Sequence, residues 1–316
     1  MQPVKPPRSN SMLPPDPVYT LKSDMGYIQH MNFFQGGTSQ LLAATEKGLV
    51  YFWDLNTNRA SCKKKMGEGI LAIHSYDDKI ITQEKSGIVK LWSVESDQSI
   101  NSYECCGGHC KSITVGDTLV LPQEHGVDLV NKKTFEKTKT LLSNKENLGH
   151  VMALEKMEFE SNTYILAGYE SGDVILWDAT EGKTCGDCKF QEHLTTLTFD
   201  SPMGRGVCAG ASNAMQVFSI DDSFNISVKC EVSLPSEGCN IVKVRPDRQV
   251  MVSGCWDGKI RIYSWKTLRT LAVLTEHNAF ITDIQFSPDK VSFWGANIMA
   301  ASGSDGVISL WDLYNH

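Results

Sequence analysis

Two clusters of thiols are the residues best equipped for chemistry in this chain. Cys185-Gly-Asp-Cys188 has the C-x-x-C spacing of a redox pair or half a zinc site. A zinc site needs a second ligand pair and a redox motif needs a helix start, and the sequence around Cys185 shows neither. Cys105, Cys106, His109 and Cys110 are denser. Thiolate and imidazole suit zinc, but donors crowded into so short a stretch cannot easily surround one ion tetrahedrally, even with Cys62 added. The reading for both clusters is small side chains built into strands and turns, with no metal and no cofactor. The histidines offer no nucleophile–base pair, and no G-x-S-x-G elbow, P-loop or G-x-G-x-x-G occurs. His150, His193 and His277 each fall at one place in a repeating pattern, which favours a scaffold role over catalysis. The expectation is a protein that is not an enzyme.

The repeat itself is the dominant signal. LLAATEKGLVYFWDL (41–55), IITQEKSGIVKLWSV (80–94), ILAGYESGDVILWDA (165–179) and ASGSDGVISLWDL (301–313) each give an apolar strand, a turn at glycine, a second strand and an aromatic. Followed through the chain, the aromatic or its replacement stands at Trp53, Trp92, Val130, Trp177, Phe218, Tyr263 and Trp311. Alternate apolar residues before each anchor (Val50 and Phe52, Val174 and Leu176, Ile308 and Leu310) have the period of two that marks a strand. A period of roughly 40–45 residues ending in Trp-Asp specifies a β-propeller blade. Seven anchors predict an all-β fold, a single seven-bladed propeller over residues 18–316, after a Pro-rich tail at 1–17. The third repeat has lost its aromatic at Val130, and the fifth has Ala214 where the others keep glycine. The chain stops soon after Trp311, so Val18–Lys22 is expected to supply the outer strand of the seventh blade and close the ring.

Bulk properties narrow the partners. The 316-residue chain carries a formal charge of −7 and no basic stripe beyond Lys63-Lys64-Lys65, so no nucleic acid is expected as a partner. No apolar run is long enough to span a bilayer, and the first residues lack the apolar core of a secretory signal. Reduced cysteines in the cytoplasm and/or nucleus are expected, with no membrane partner.

Trp53-Asp54, Trp177-Asp178, Trp311-Asp312 and Gly149-His150 resemble the WD40 family. The resemblance implies a hydrogen-bonded set locking blade seven, carried here onto His277, Ser302, Asp305 and Trp311, with Trp53, Trp92 and Trp177 as structural anchors. The stretches 165–185 and 244–277 are similar to the G-protein β-subunit-like protein 1 group and its fungal ASTRA-associated relatives. That resemblance implies a co-chaperone adaptor working with the TTT complex and RuvB-like AAA ATPases on phosphatidylinositol-3-kinase-like kinases. It does not imply a G-protein γ subunit as partner. Six prolines among the first seventeen residues exclude the long helix that such a partner needs.

In this architecture the turns between second and third strands line one rim of a central channel. Trp256, Tyr169 and Glu170 are the partner-binding candidates there. Arg245, Arg248 and Trp294 are the candidates on the opposite rim. The reading is a monomeric, non-catalytic interaction scaffold. Its rivals are a hydrolase of the diphthine methylesterase kind and a substrate receptor of a ubiquitin ligase.

Overall fold

A computed structural model describes residues 15–34, 39–191 and 193–313. Most of the Pro-rich tail, with Ser9 and Ser11, lies outside the described residues. The rest forms seven four-stranded antiparallel sheets. Their innermost strands are β2 (Ile28–Phe33), β6 (Ile70–Tyr76), β10 (Ile113–Val115), β14 (Val151–Phe159), β18 (Leu194–Asp200), β22 (Cys239–Val244) and β26 (Ile281–Phe286). The blades are numbered 1 to 7 in that order.

Burial follows position within the blade. The second strand of blade 1, β3 (Gln40–Thr45), reads Leu-Leu-Ala-Ala because a neighbouring blade covers each of its faces. The fourth, β5 (Arg59–Lys65), is almost wholly exposed and correspondingly polar. Apolar side chains gather into seven clusters, each drawing on two adjacent blades. The core therefore lies in the seams between the sheets.

The seam between blades 7 and 1 confirms the expected closure. Strand β1 (Tyr19–Lys22) pairs with β28 (Val307–Trp311), Tyr19 opposite Leu310 and Lys22 opposite Val307. Leu21 is buried with Ile308 and Leu310 in the cluster that also holds Met25, Ile28 and Met31. The segment that completes blade 7 is thus continuous with the first strand of blade 1.

The two weak repeats are repaired locally. Val130 leaves room in the seam between blades 2 and 3, and Phe135, from the next turn, packs there with Ile81, Leu119 and Leu121. It does so at φ +61°, a left-handed backbone few side chains adopt. At Ala214 the Ser212 hydroxyl accepts the Ala214 N–H at 3.2 Å and donates to Gln191 Oε1 at 2.6 Å, holding the turn through a side chain. A typical turn still requires glycine: a Cβ at Gly48, where φ is +76°, would lie 1.8 Å from the Gly67 carbonyl oxygen.

One expectation for blade 7 needs correction. The hydroxyl that joins Trp311 to His277 is that of Ser309, which lies 2.8 Å from both Trp311 Nε1 and His277 Nε2. Ser302 bonds the Thr282 hydroxyl at 2.9 Å. Ser309 is two residues from Trp311 on the same strand, so both side chains share one face. Asp305 completes the set at 3.3 Å from His277 Nδ1. Burial favours the neutral acid, but His277 and the N–H groups of Asn278 and Val307 outweigh it and hold the Asp305 carboxyl below its usual range.

Two outcomes are expected. Removing residues 1–22 should lower the melting temperature of the entire ring in one cooperative transition, and Leu21→Ala should cost about 2–5 kcal/mol in urea unfolding. A truncated chain that melts with the full-length one would contradict closure. Ser309→Ala should cost about 1–3 kcal/mol because it leaves two buried partners unpaired. Ser302→Ala should cost less, since the Thr282 hydroxyl keeps the Ser302 carbonyl at 3.1 Å.

Candidate functional site: the channel mouth

Six of the seven innermost strands share one irregularity. Their pairing with the second strand slips between Ile28 and His30, Ile70 and Ala72, Val151 and Ala153, Leu194 and Thr196, Cys239 and Ile241, and Ile281 and Asp283. A bulge leaves one residue out of the ladder and re-aims its side chain. The residues so released are Gln29, Leu71, Met152, Thr195, Asn240 and Thr282, and all of them line a central cavity of about 390 Å³. Strand β10 is short, and the loop before it sends Lys111 and Ser112 into the same space.

The residue after the bulge turns to the next blade. An innermost strand is a sheet edge, so its inward N–H groups lack ladder partners. At three seams a side chain supplies one. Thr196 Oγ1 accepts from Val242 N at 3.1 Å, Asp283 Oδ2 from Met31 N at 2.7 Å, and His30 Nδ1 from Ile73 N at 3.0 Å. Threonine, aspartate and histidine thus do the same work at equivalent positions.

Asp283 is the hub. It is fully buried, accepts from Gln285 Nε2 at 3.1 Å, and has His30 Nε2 at 3.7 Å and Lys111 Nζ at 3.8 Å. Lys111 also donates to the Thr282 carbonyl at 3.0 Å, so it spans the channel from blade 3 to blade 7. Burial alone would raise the Asp283 pKa, but Lys111, His30 and the Met31 N–H outweigh it, and the carboxyl stays below its usual range. Burial instead dominates the two imidazoles. It lowers His30 to about 3, with Asp283 opposing and Lys111, His74 and Lys243 adding to the fall. His74, which meets Ser112 Oγ at 2.9 Å, falls to about 4.

Around the mouth, the Trp256 ring lies over Gly238, where any Cβ would sit 1.9 Å from it. Its Nε1 donates to Asn240 Oδ1 at 2.7 Å, yet the residue remains 45% exposed. Tyr27 and Phe280 meet edge to face at 5.6 Å beside Lys85, which pairs with Glu46 at 3.0 Å. Glu170 is exposed in the same rim.

Other expected contact residues are placed differently. Tyr169 is fully buried, packed with Trp177 and Val120 between blades 3 and 4, so it cannot meet a partner. It ends its strand with the side chain turned into the seam. Arg245 is 7% exposed and its guanidinium is held by Asp247 at 2.6 and 2.8 Å and by the Leu313 carbonyl at 2.6 Å, which makes it a structural residue. Arg248 is exposed on the opposite rim. Trp294 also lies there, half-buried, against the cluster between blades 7 and 1. Its neighbour Phe293, 59% exposed and 5.1 Å away ring to ring, is the more accessible aromatic and was not anticipated. The candidates therefore divide between two rims.

Of the three histidines expected to share a scaffold position, His277 alone is buried; His150 and His193 are exposed. Cys105 and Cys110 pack into different seams, and burial pushes the Cys105 thiol up to about 12.

Comparison with known proteins agrees with this architecture. The WD domain, G-beta repeat family matches residues 229–264 and 268–312. The guanine nucleotide-binding protein subunit beta-like protein 1 of Mus musculus is 27% identical, over 95% of this chain and 97% of its own length. ASTRA-associated protein 1 of Schizosaccharomyces pombe is 23% identical, over 96% of this chain and its full length. With seven sheets closed into a ring, the chain is a seven-bladed propeller that carries WD domain, G-beta repeat matches within residues 229–312, and these two proteins are what it is similar to.

Acid should loosen the ring. Because the folded-state pKa values of His30 and His74 lie below the ordinary 6.5, the unfolded chain takes up protons that the folded channel refuses. Stability is full above about pH 6.5 and falls as pH drops toward 4. The melting temperature should decline between pH 7 and pH 5, and the slope should flatten in the His30→Asn, His74→Asn double variant. An unchanged slope would contradict the buried neutral imidazoles.

Proposed function

We propose that this WD40 propeller is a co-chaperone adaptor, a non-catalytic scaffold in the cytoplasm or nucleus. On it the TTT complex and RuvB-like ATPases meet immature phosphatidylinositol-3-kinase-like kinases. End-to-end similarity to a protein named for its ASTRA association supports the partner class. The geometry supports the mode of action. Trp256 is an exposed aromatic fixed by Gly238 beneath it and by one hydrogen bond to Asn240, so it loses little freedom on docking.

The hydrolase reading meets one suggestive arrangement and fails on it. Ser309, His277 and Asp305 stand in the order of a catalytic triad. Ser309 is fully buried, however, and its oxygen also faces the Trp311 indole N–H. A substrate carbonyl cannot approach that hydroxyl, and a nucleophile must be reachable to attack.

Affinity purification under gentle lysis, with partners identified by mass spectrometry, tests the proposal. TTT and RuvB-like subunits are expected with the native chain. Trp256→Ala should reduce their recovery by about thirty-fold, corresponding to a hot-spot loss of ~2 kcal/mol, with its melting temperature unchanged. Ubiquitin-ligase subunits in their place would favour the receptor reading, and recovery of neither would overturn the proposal. A fluorophosphonate probe should leave the protein unlabelled.

A further inference from the structure

The channel mouth carries an ammonium that, among the described residues, has no hydrogen-bonded or ion-paired partner. In a chain of net charge −7, its lining holds three lysines and a single aspartate. Lys85 is paired with Glu46, and Lys111 is tied to the Thr282 carbonyl and Asp283. Lys243 lies on β22, opposite Val252 of β23, and its ammonium makes no hydrogen bond or ion pair among the described residues. Its charge reaches Lys111 and His30, where it disfavours further positive charge. Asp283 cannot serve it, since Met31 N–H, Gln285, His30 and Lys111 already surround that carboxylate. Glu155, on β14, feels Lys243 through space, an attraction that opposes the rise burial gives its carboxyl, but it makes no hydrogen bond or ion pair with the Lys243 ammonium. Walls of packed strands confine the field of an unmatched ammonium and direct it out through the mouth.

We propose that Lys243 and Lys111 form a receptor for the acidic or phosphorylated side chain of a partner's extended segment. Asn240 connects this receptor to the rim. Its oxygen holds Trp256, its nitrogen donates to the Ile281 carbonyl at 2.8 Å, and Lys243 lies three residues further along the same strand. A segment with its backbone over Trp256 directs an oxyanion into a space of about 390 Å³, roomy enough for a carboxylate or a phosphate. Two lysines reading one anion add a charge requirement to the non-specific grip of an aromatic rim. This reading rests on the scaffold function above and specifies the chemistry of its partner.

Melting curves in pyrophosphate and in glutarate, each against sodium chloride of equal ionic strength, test the site. At about ten times the dissociation constant, an anion bound only by the folded ring should raise the melting temperature by roughly 2 °C over chloride. Lys243→Gln, which breaks no bond in the protein, should melt as the native chain does in chloride and lose most of that rise. A response to pyrophosphate alone identifies a phosphate reader, and a response to both identifies a general oxyanion site. No rise over chloride, or an equal rise in the variant, overturns the inference. Partner recovery by affinity purification is scored separately: if TTT and RuvB-like subunits co-purify while the anions fail, the receptor falls and the scaffold stands.

Discussion

A blade of this protein cannot bury its own faces. Each four-stranded sheet has two apolar sides and finds cover for them only in its neighbours, which is why the apolar side chains sort into clusters at the seams. That constraint makes closure obligatory. With the seam between blades 7 and 1 open, Ile28, Met31, Ile308 and Leu310 would all face water. The chain answers by laying a strand from its beginning against a strand from its end, a pairing with large loop-closure entropy that only the finished ring repays.

Closure creates a second demand. Bringing seven sheet edges to one axis points unpaired backbone groups into a narrow space. The bulge after the first residue of six of the seven inner strands meets this in two ways. It turns one side chain into the channel and the next toward the neighbouring blade, where His30, Thr196 and Asp283 each take a stranded N–H. Burying an aspartate there requires cations and donors to hold it ionised, which accounts for Lys111 crossing the channel. The polar interior of the channel is therefore a consequence of ring architecture, and a binding surface can be built on it with few further residues.

The same logic separates chemistry from its appearance. Ser309, His277 and Asp305 reproduce a hydrolase constellation in their contacts, yet burial converts it into a lock on Trp311. Trp256 looks from its neighbours like any turn residue, yet a glycine and an asparagine present it to solvent. Accessibility, more than residue type, decides which groups can act.

The sequence by itself determined the blades. Strand alternation, turn glycines and the recurrent aromatic are relations among residues a few positions apart, so the number of blades and even the closing strand at 18–22 could be read from them. Exposure was different. Tyr169 and Arg245 sit in turn-like contexts that suggested a surface role, but the seam beside blade 4 and the Asp247–Leu313 clasp took them inward. A histidine in IQHMNF and an aspartate in ITDIQF were visible only as polar interruptions of apolar strands. What they bond, and that Lys111 reaches Asp283 across the axis, depends on segments from different blades becoming neighbours, 43 residues apart for His30 and Ile73 and 252 for Asp283 and Met31. Local periodicity fixes which face of a strand a side chain takes; closure of the ring alone decides what that face meets.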